Sequence, residues 1–309
     1  MFMKRAVNCG LVKADNMKQA ILLLSFGTPR QPSDLLPYLT SIRRGKIPTE
    51  RELKVLTARY DAIGQWDNKL LQTMGEEQKK TLKSLLAIDA MYLAYLHMPN
   101  SMEQAVESIA AAGYTSILCI VTSPFYSMVG TGAYERKLHS ILRAYPDISC
   151  EIIKSWWNRP EFFEYWRSQL MAANPLQADT ACIFSAHSVP TSTVGSYKDE
   201  VMSASNQIAK MVGLNHWYQA WQSAAPHGEW LGPTIESVIE QALIDGAKRI
   251  VCIPFGFVSD HVEILYDNDI ICRNIAENAG ATYERVPMPN GNTLFMEAMA
   301  KAIRERINK

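Results

Sequence analysis

The sequence predicts an α/β protein: two similar lobes built on mainly parallel sheets, with a cleft between them. Three observations carry this. Short apolar runs alternate with longer amphipathic segments, one block of chain resembles another 133 residues later, and the apolar runs end in polar, aromatic and small residues.

The expected strands are AILLLSFG (20–27), MYLAYLHM (91–98), SILCIVTS (116–123), SCEIIKSW (149–156), ACIFSAHS (181–188), HWYQAWQS (216–223), RIVCIPFGFV (249–258) and ATYERVP (281–287). Most are apolar throughout, as strands are when helices cover both faces of their sheet. Between them, segments such as ERELKVLTARYDAI and SASNQIAKMV are polar on one helical face and apolar on the other.

SMEQAVESIAAAGYTSILCI (101–120) aligns without a gap on TIESVIEQALIDGAKRIVCI (234–253), placing Glu103 on Glu236, Gly113 on Gly246 and Cys119 on Cys252. Each copy reads as helix, glycine stop and buried strand. The repeat divides the chain into lobes over 18–155 and 156–290, with a last helix over 293–308 packing back on the first lobe. Sheets of this kind bind ligands beyond the carboxyl ends of their strands. Those ends read SFGTP (25–29), LHMP (96–99), TSPFYS (122–127), FSAHSVP (184–190), AWQS (220–223) and GFVSDH (256–261). Two facing lobes would gather them around one cleft.

With 48% hydrophobic residues, a chain of 309 can bury a large core. Lys+Arg and Asp+Glu are equal at 31 each, so no global field recruits nucleic acid or an anionic membrane. No apolar run approaches the ~18 residues that span a bilayer. MFMKRAVNCGLVKADN lacks the continuous apolar core of a signal peptide. The six cysteines form no CxxC pair or metal-finger spacing, so nothing argues for an iron–sulfur cluster, and reduced thiols in a soluble cytoplasmic protein are expected.

SDHVEILYDND (259–269) places Asp260, His261, Glu263, Asp267 and Asp269 within one short stretch. Asp260 and Glu263 have capping-box spacing, and Glu263 and Asp267 would be neighbours on one helical face. A cap does not require the second acid. Like charges at that spacing repel, and a cation or departing protons would relieve the repulsion. His187 ends an apolar run before a turn, where a neutral imidazole can ligate a divalent ion such as Fe(II), accept a proton, or serve a structural hydrogen bond. One His and one carboxylate are too few for a tight structural metal site; they suit one that holds an ion briefly. DLLPYLTSIRRGKIP (34–48) sets an apolar helix face beside Arg43, Arg44 and Lys46. That suits a large flat ligand edged with carboxylates, or equally a surface helix with a solvated basic end. Arg59, Tyr60 and Trp230 offer further contacts. No strand end reads GxGxxG or GxxxxGK[ST], so no phosphate loop is expected.

In order and spacing, LLLSFGTP, YLTSIRRGKIP…ARYDAIG, SAHSVP, YQAWQS, EWLGP and GFVSDHVEILYDND resemble ferrochelatases, the enzymes that insert ferrous iron into a porphyrin. The likeness covers nearly all of the chain from about residue 20 and is strongest to the short, monofunctional Gram-positive type. It implies two Rossmann-like, chelatase-type lobes, coproporphyrin III as the favoured substrate with protoporphyrin IX as the other ring, Fe2+ as co-substrate, and no permanently bound cofactor. It also implies His187 and Glu263 as the metal and catalytic pair, with Asp267 continuing an acidic track. Phe26, Arg43, Arg59, Tyr60, Asp67 and Trp230 fall near the porphyrin, and His97, Tyr126 and Ser127 at further contact positions. Four residues depart from the family pattern. Phe26 stands where Gram-positive members carry tyrosine, Ile271 where a third acid lies, Asp67 where a small hydroxyl is usual, and Phe125 in place of a histidine. These departures leave open a non-catalytic haem or porphyrin carrier, or a chelatase for another metal or tetrapyrrole. A monomer is expected, with no nucleic-acid partner and no membrane span; the sequence identifies no haem acceptor protein.

Overall fold

The computed structural model describes residues 18–308 apart from 69 and 226, and only the backbone of 67, 68, 70 and 72. Each expected run forms a strand: β1 Gln19–Ser25, β2 Met91–Tyr95, β3 Ser116–Val121, β4 Ser149–Ile153, β5 Thr180–His187, β6 Trp217–Gln222, β7 Arg249–Ile253 and β8 Thr282–Arg285. They build two four-stranded sheets, ordered β2-β1-β3-β4 and β6-β5-β7-β8, and every pairing is parallel. The repeat in the sequence is therefore a repeat of topology. It extends to register: Leu22 pairs with Tyr92 on one side and Cys119 on the other, as Ile183 pairs with Tyr218 and Cys252.

Successive side chains on a strand point to opposite faces, and here both faces are covered. Leu22, Leu24, Ile117 and Cys119 pack under the helices Ser101–Ala111 and Thr131–Leu142, whereas Ile21, Leu23, Leu118 and Ile120 belong to the core on the other face. In the second sheet, Ile183, Ile250 and Cys252 meet the helix Ile235–Ile244, and Phe184, Val251 and Ile253 join that same inner core. Each such fully buried Leu, Ile or Phe contributes about 1.5–3 kcal/mol. The inner core is shared by the two sheets and filled by the helices Pro160–Ala172, Tyr197–Val212 and Thr293–Ile307. Phe295 of the last helix meets Trp156 at 5.5 Å and Phe162 at 5.6 Å between ring centroids. Arg304 Nη2 donates to the carbonyl of Leu85 at 2.8 Å, tying that helix to the first lobe.

Two glycines bring strand ends close together at the cleft. Gly27 has φ +97°, and a Cβ there would lie 2.9 Å from Met98 Cγ. At Gly256 a Cβ would come within 2.4 Å of Ala186 Cβ, so only glycine lets the segment after β7 cross directly beside β5. The Gly256 N–H donates to the carbonyl of Ser185 at 3.1 Å.

The capping box expected at Asp260 and Glu263 does not form. Asp260 Oδ2 accepts from Asn290 Nδ2 at 2.9 Å, Asp260 Oδ1 faces Arg285 Nη2 at 3.1 Å, and the helix begins beyond them at Val262 without a side-chain cap. Tertiary partners take the carboxylate that the local motif would have used. The segment Glu263–Cys272 is also wound as a π-helix, wider than an α-helix because its hydrogen bonds reach one residue further, and such windings are frequent at functional sites.

Candidate active site

His187 is the last residue of β5, and Tyr197 Oη donates to its carbonyl at 2.9 Å. Its Nδ1 lies 2.5 Å from the carbonyl oxygen of Ser188. A carbonyl can only accept, so Nδ1 carries a proton and the neutral ring keeps its lone pair on Nε2. That Nε2 is 3.7 Å from Glu263 Oε1. Since β5 and β7 are neighbours in the sheet, the strand tip and the segment that follows β7 reach the same rim. A metal ion about 2.1 Å from both atoms would subtend about 120° between them, so the 3.7 Å gap fits one ion. Among the described residues, no group of three or more His, Cys, Asp or Glu side chains encloses a metal position.

The acids differ in setting. Burial opposes the charge on Glu263, but the facing His187 imidazole outweighs it and holds the carboxyl down at about 2. Burial likewise disfavours protonated His187, yet Glu263 and the Ser188 carbonyl raise its pKa overall. Asp267 lies behind the pair, with its side chain only 10% exposed, and burial pushes it up to about 6 against the pull of Arg59. Arg59 Nη1 is 3.2 Å from Asp267 Oδ1, and Ser223 Oγ donates to Asp267 Oδ2 at 3.2 Å. The Ser223 hydroxyl also favours the charged form of Glu263. Asp269 is turned away: Arg285 grips it with two hydrogen bonds of 2.6 and 2.8 Å.

His187 and Glu263 open into a cleft of about 610 Å3 lined from both lobes, within the ~300–1,000 Å3 typical of small-molecule and cofactor sites. Of the residues expected near a ligand, Phe26, Arg59, Tyr60, His97, Ser127 and Trp230 line it. Phe26 is 46% exposed and meets His97 edge-on at 4.4 Å between centroids. Tyr60 stacks on Trp66 at 5.4 Å, and burial pushes its hydroxyl up to about 12, so it stays neutral. Trp230 Nε1 donates to the carbonyl of His227 at 2.8 Å. Its loop pairs with the one after β5, through Leu231 N–H to Val189 O at 3.0 Å and Ser188 Oγ to Leu231 O at 2.8 Å. SAHSVP and EWLGP are thus two halves of one wall.

Other expected residues lie elsewhere. Arg43 does not line the cleft: it pairs with Glu52, whose carboxylate also closes a capping box with Thr49. Its neighbour Arg44 lines the cleft instead, carried there by a left-handed turn at φ +57°. Tyr126 is not among the lining residues and has Lys154 over its ring at 5.6 Å. Phe125 is core, edge-on to Phe162 and Phe255. The Asp67 side chain lies outside the described residues. Ser223 and Gly256 were not singled out as site residues from the sequence, and Arg44 was named only as one of three basic residues beside the 34–48 helix face. Ser223 was nevertheless marked by its place at the end of the β6 run, and it too has positive φ, +60°.

The chain matches the ferrochelatase family model over residues 18–307. The chain belongs to the ferrochelatase family. Among its relatives, the coproporphyrin III ferrochelatase of Geobacillus kaustophilus (strain HTA426) is 33% identical over 302 residues, covering 93% of this chain and 95% of that protein. The coproporphyrin III ferrochelatase of Staphylococcus aureus (strain Mu50 / ATCC 700699) is 31% identical over 303 residues, with 93% and 98% covered. Among solved structures, SirB from Bacillus subtilis with Fe3+ superposes with a TM-score of 0.61 at 13% identity, covering 94% of this chain and 95% of that one. That last likeness concerns the fold, and it matches the two similar lobes found here. As a member of this family the chain is a metal chelatase. No helix among the described residues is long and apolar enough to cross a membrane.

Proposed function

We propose that this protein inserts ferrous iron into coproporphyrin III, releasing two protons, as a step of haem biosynthesis in the cytoplasm. The observation that carries the assignment is the pairing of the His187 imidazole Nε2 with the Glu263 carboxylate, 3.7 Å apart, at the wall of a cleft between two lobes. The ring lies in that cleft against Phe26, Tyr60 and Trp230, with its carboxylates toward Arg44 and Arg59. A planar porphyrin hides its inner lone pairs, so contacts along its edge must supply the distortion that exposes them. Fe2+ is attracted by Glu263, which is ionised at neutral pH, and occupies the place a proton would otherwise hold against His187. As the metal passes into the ring, His187 Nε2 accepts a proton from a pyrrole N–H. Ser223 and Asp267 then lead protons away, and the carboxyl at about 6 can load and unload them near neutral pH.

Single-turnover iron insertion by His187→Ala and Glu263→Gln tests this, and near-normal rates in both variants would refute it. Assaying Fe(II), Zn(II) and Co(II) against coproporphyrin III and protoporphyrin IX fixes metal and ring. A carrier would give a shifted Soret band with no metalloporphyrin formed.

A further inference from the structure

The cleft contains an imidazole from the N-terminal lobe that the insertion step does not use. His187 ends β5 in the C-terminal lobe, whereas His97 follows β2 in the N-terminal lobe, and both line the same cleft. His97 is held from three sides. Its ring is edge-on to Phe26 at 4.4 Å and to Tyr38 at 6.4 Å, and Ser41 Oγ stands 3.0 Å from Nδ1. Nε2 has no hydrogen-bond partner among the described residues, nor is it one of the sealed, unpartnered interior atoms. It therefore reaches the cleft with a vacant position. Phe26 beside it carries no donor atom.

We propose that His97 is the axial ligand of the metallated product, binding the metal through Nε2 from the N-terminal lobe, on the face opposite His187 and Glu263. This rests on the proposed metal insertion. Burial and the nearby Lys137 lower the His97 pKa to about 4, so the ring is neutral at the pH of turnover. With a metal on Nε2, the proton stays on Nδ1 and is donated to Ser41 Oγ. Metal-bound histidines commonly have such an outer partner, which fixes the tautomer and the ring orientation. A coordinate bond forms from the Nε2 lone pair, and no proton or electron is exchanged. The consequence is directional. Metal delivered from the C-terminal lobe is captured on the far side of the ring, which draws it out of the His187–Glu263 pair and retains the product until it is collected.

Pre-formed ferric coproporphyrin III, mixed with the protein, gives a readout independent of catalysis. Wild type should show the absorption and EPR of imidazole-ligated iron, and its ferrous nitrosyl complex should show splitting from a trans nitrogen. His97→Ala should lose these signatures and release the product at least about tenfold faster, the change that about 1.4 kcal/mol produces. Added imidazole should restore the spectrum. Ser41→Ala should keep ligation but shift the iron–histidine stretch, and His187→Ala should leave the spectrum intact. Binding of metal-free coproporphyrin III by His97→Ala and His97→Gln shows that these variants are folded. An unchanged spectrum in His97→Ala, or loss of the imidazole signature in His187→Ala, overturns the proposal. If wild type binds neither free nor metallated ring, the functional reading falls with it.

Discussion

Asp267 offers the most direct thermodynamic test of the site. Its side chain is 10% exposed, and burial raises its pKa from 3.8 to about 6 even with Arg59 at 3.2 Å. A carboxyl whose pKa is raised on folding adds stability below its unfolded value, and loses that contribution as pH rises through the folded value. The gap between 3.8 and about 6 corresponds to about 3 kcal/mol at 1.36 kcal/mol per pH unit. Asp267→Asn cannot ionise, its amide oxygen can still accept from Arg59, and its amide N–H can donate to the Ser223 hydroxyl in place of the bond Ser223 gives to the carboxylate. The stability of the variant minus that of wild type should therefore rise by about 2.4 kcal/mol between pH 4 and pH 7, the rest of the change lying below pH 4, and level off above pH 7. Urea denaturation of both proteins at successive pH values measures this difference, in which the titrating groups that do not interact with Asp267 cancel. A difference that is flat with pH, or one that favours wild type as pH rises, would refute the burial argument and with it the role of Asp267 as a proton carrier near neutrality.

Other expectations are shorter to state. Glu263→Gln removes the charge that raises the His187 pKa, so the acidic limb of the pH–rate profile should move to lower pH while the maximal rate falls about 100-fold or more; a limb that stays in place would separate His187 from the kinetic pKa. Arg44→Ala should raise KM several-fold for the four-carboxylate coproporphyrin, more than for the two-carboxylate protoporphyrin, with little change in kcat, as steady-state kinetics on both rings would show. Arg285→Ala leaves the part-buried Asp260 and Asp269 unpaired and should cost about 3–5 kcal/mol in a denaturation titration. Gly256→Ala puts a methyl group against Ala186, so it should abolish insertion by moving Glu263 away from His187, and porphyrin binding followed by the Soret band should survive it.

The fold was legible because its signals are local and redundant. Each run that became a strand is apolar on both faces, since each sheet is covered twice, and the repeat fixed the topology of one lobe once the other was read. The pair His187 and Glu263 was legible for a related reason: one ends a strand and the other follows the neighbouring strand, and the carboxyl ends of those strands must meet at a rim. What failed was what depended on competition between distant groups. Asp260 and Glu263 have the spacing of a cap, but Arg285 and Asn290, brought in by β8 and the loop after it, bind Asp260 first. Arg43 and Arg44 are equivalent in sequence, yet Glu52 takes Arg43, and the positive φ of Arg44 turns it to the cleft. The wide winding of Glu263–Cys272 has no marker in its composition.

The acids of SDHVEILYDND show why position alone did not identify the working carboxylate. Asp260 and Asp269 share Arg285, and Asp267 faces Arg59. Among the described residues Glu263 has no arginine or lysine ion-pair partner, and its ion-pair contact is with the imidazole of His187. A guanidinium neutralises its carboxylate permanently, because it does not give up its proton. An imidazole does so only while protonated, and a divalent cation can replace that proton at the same place. Glu263 is thus the acid of the segment whose charge remains available to an incoming metal, and the arginines that quiet its neighbours concentrate the attraction on it.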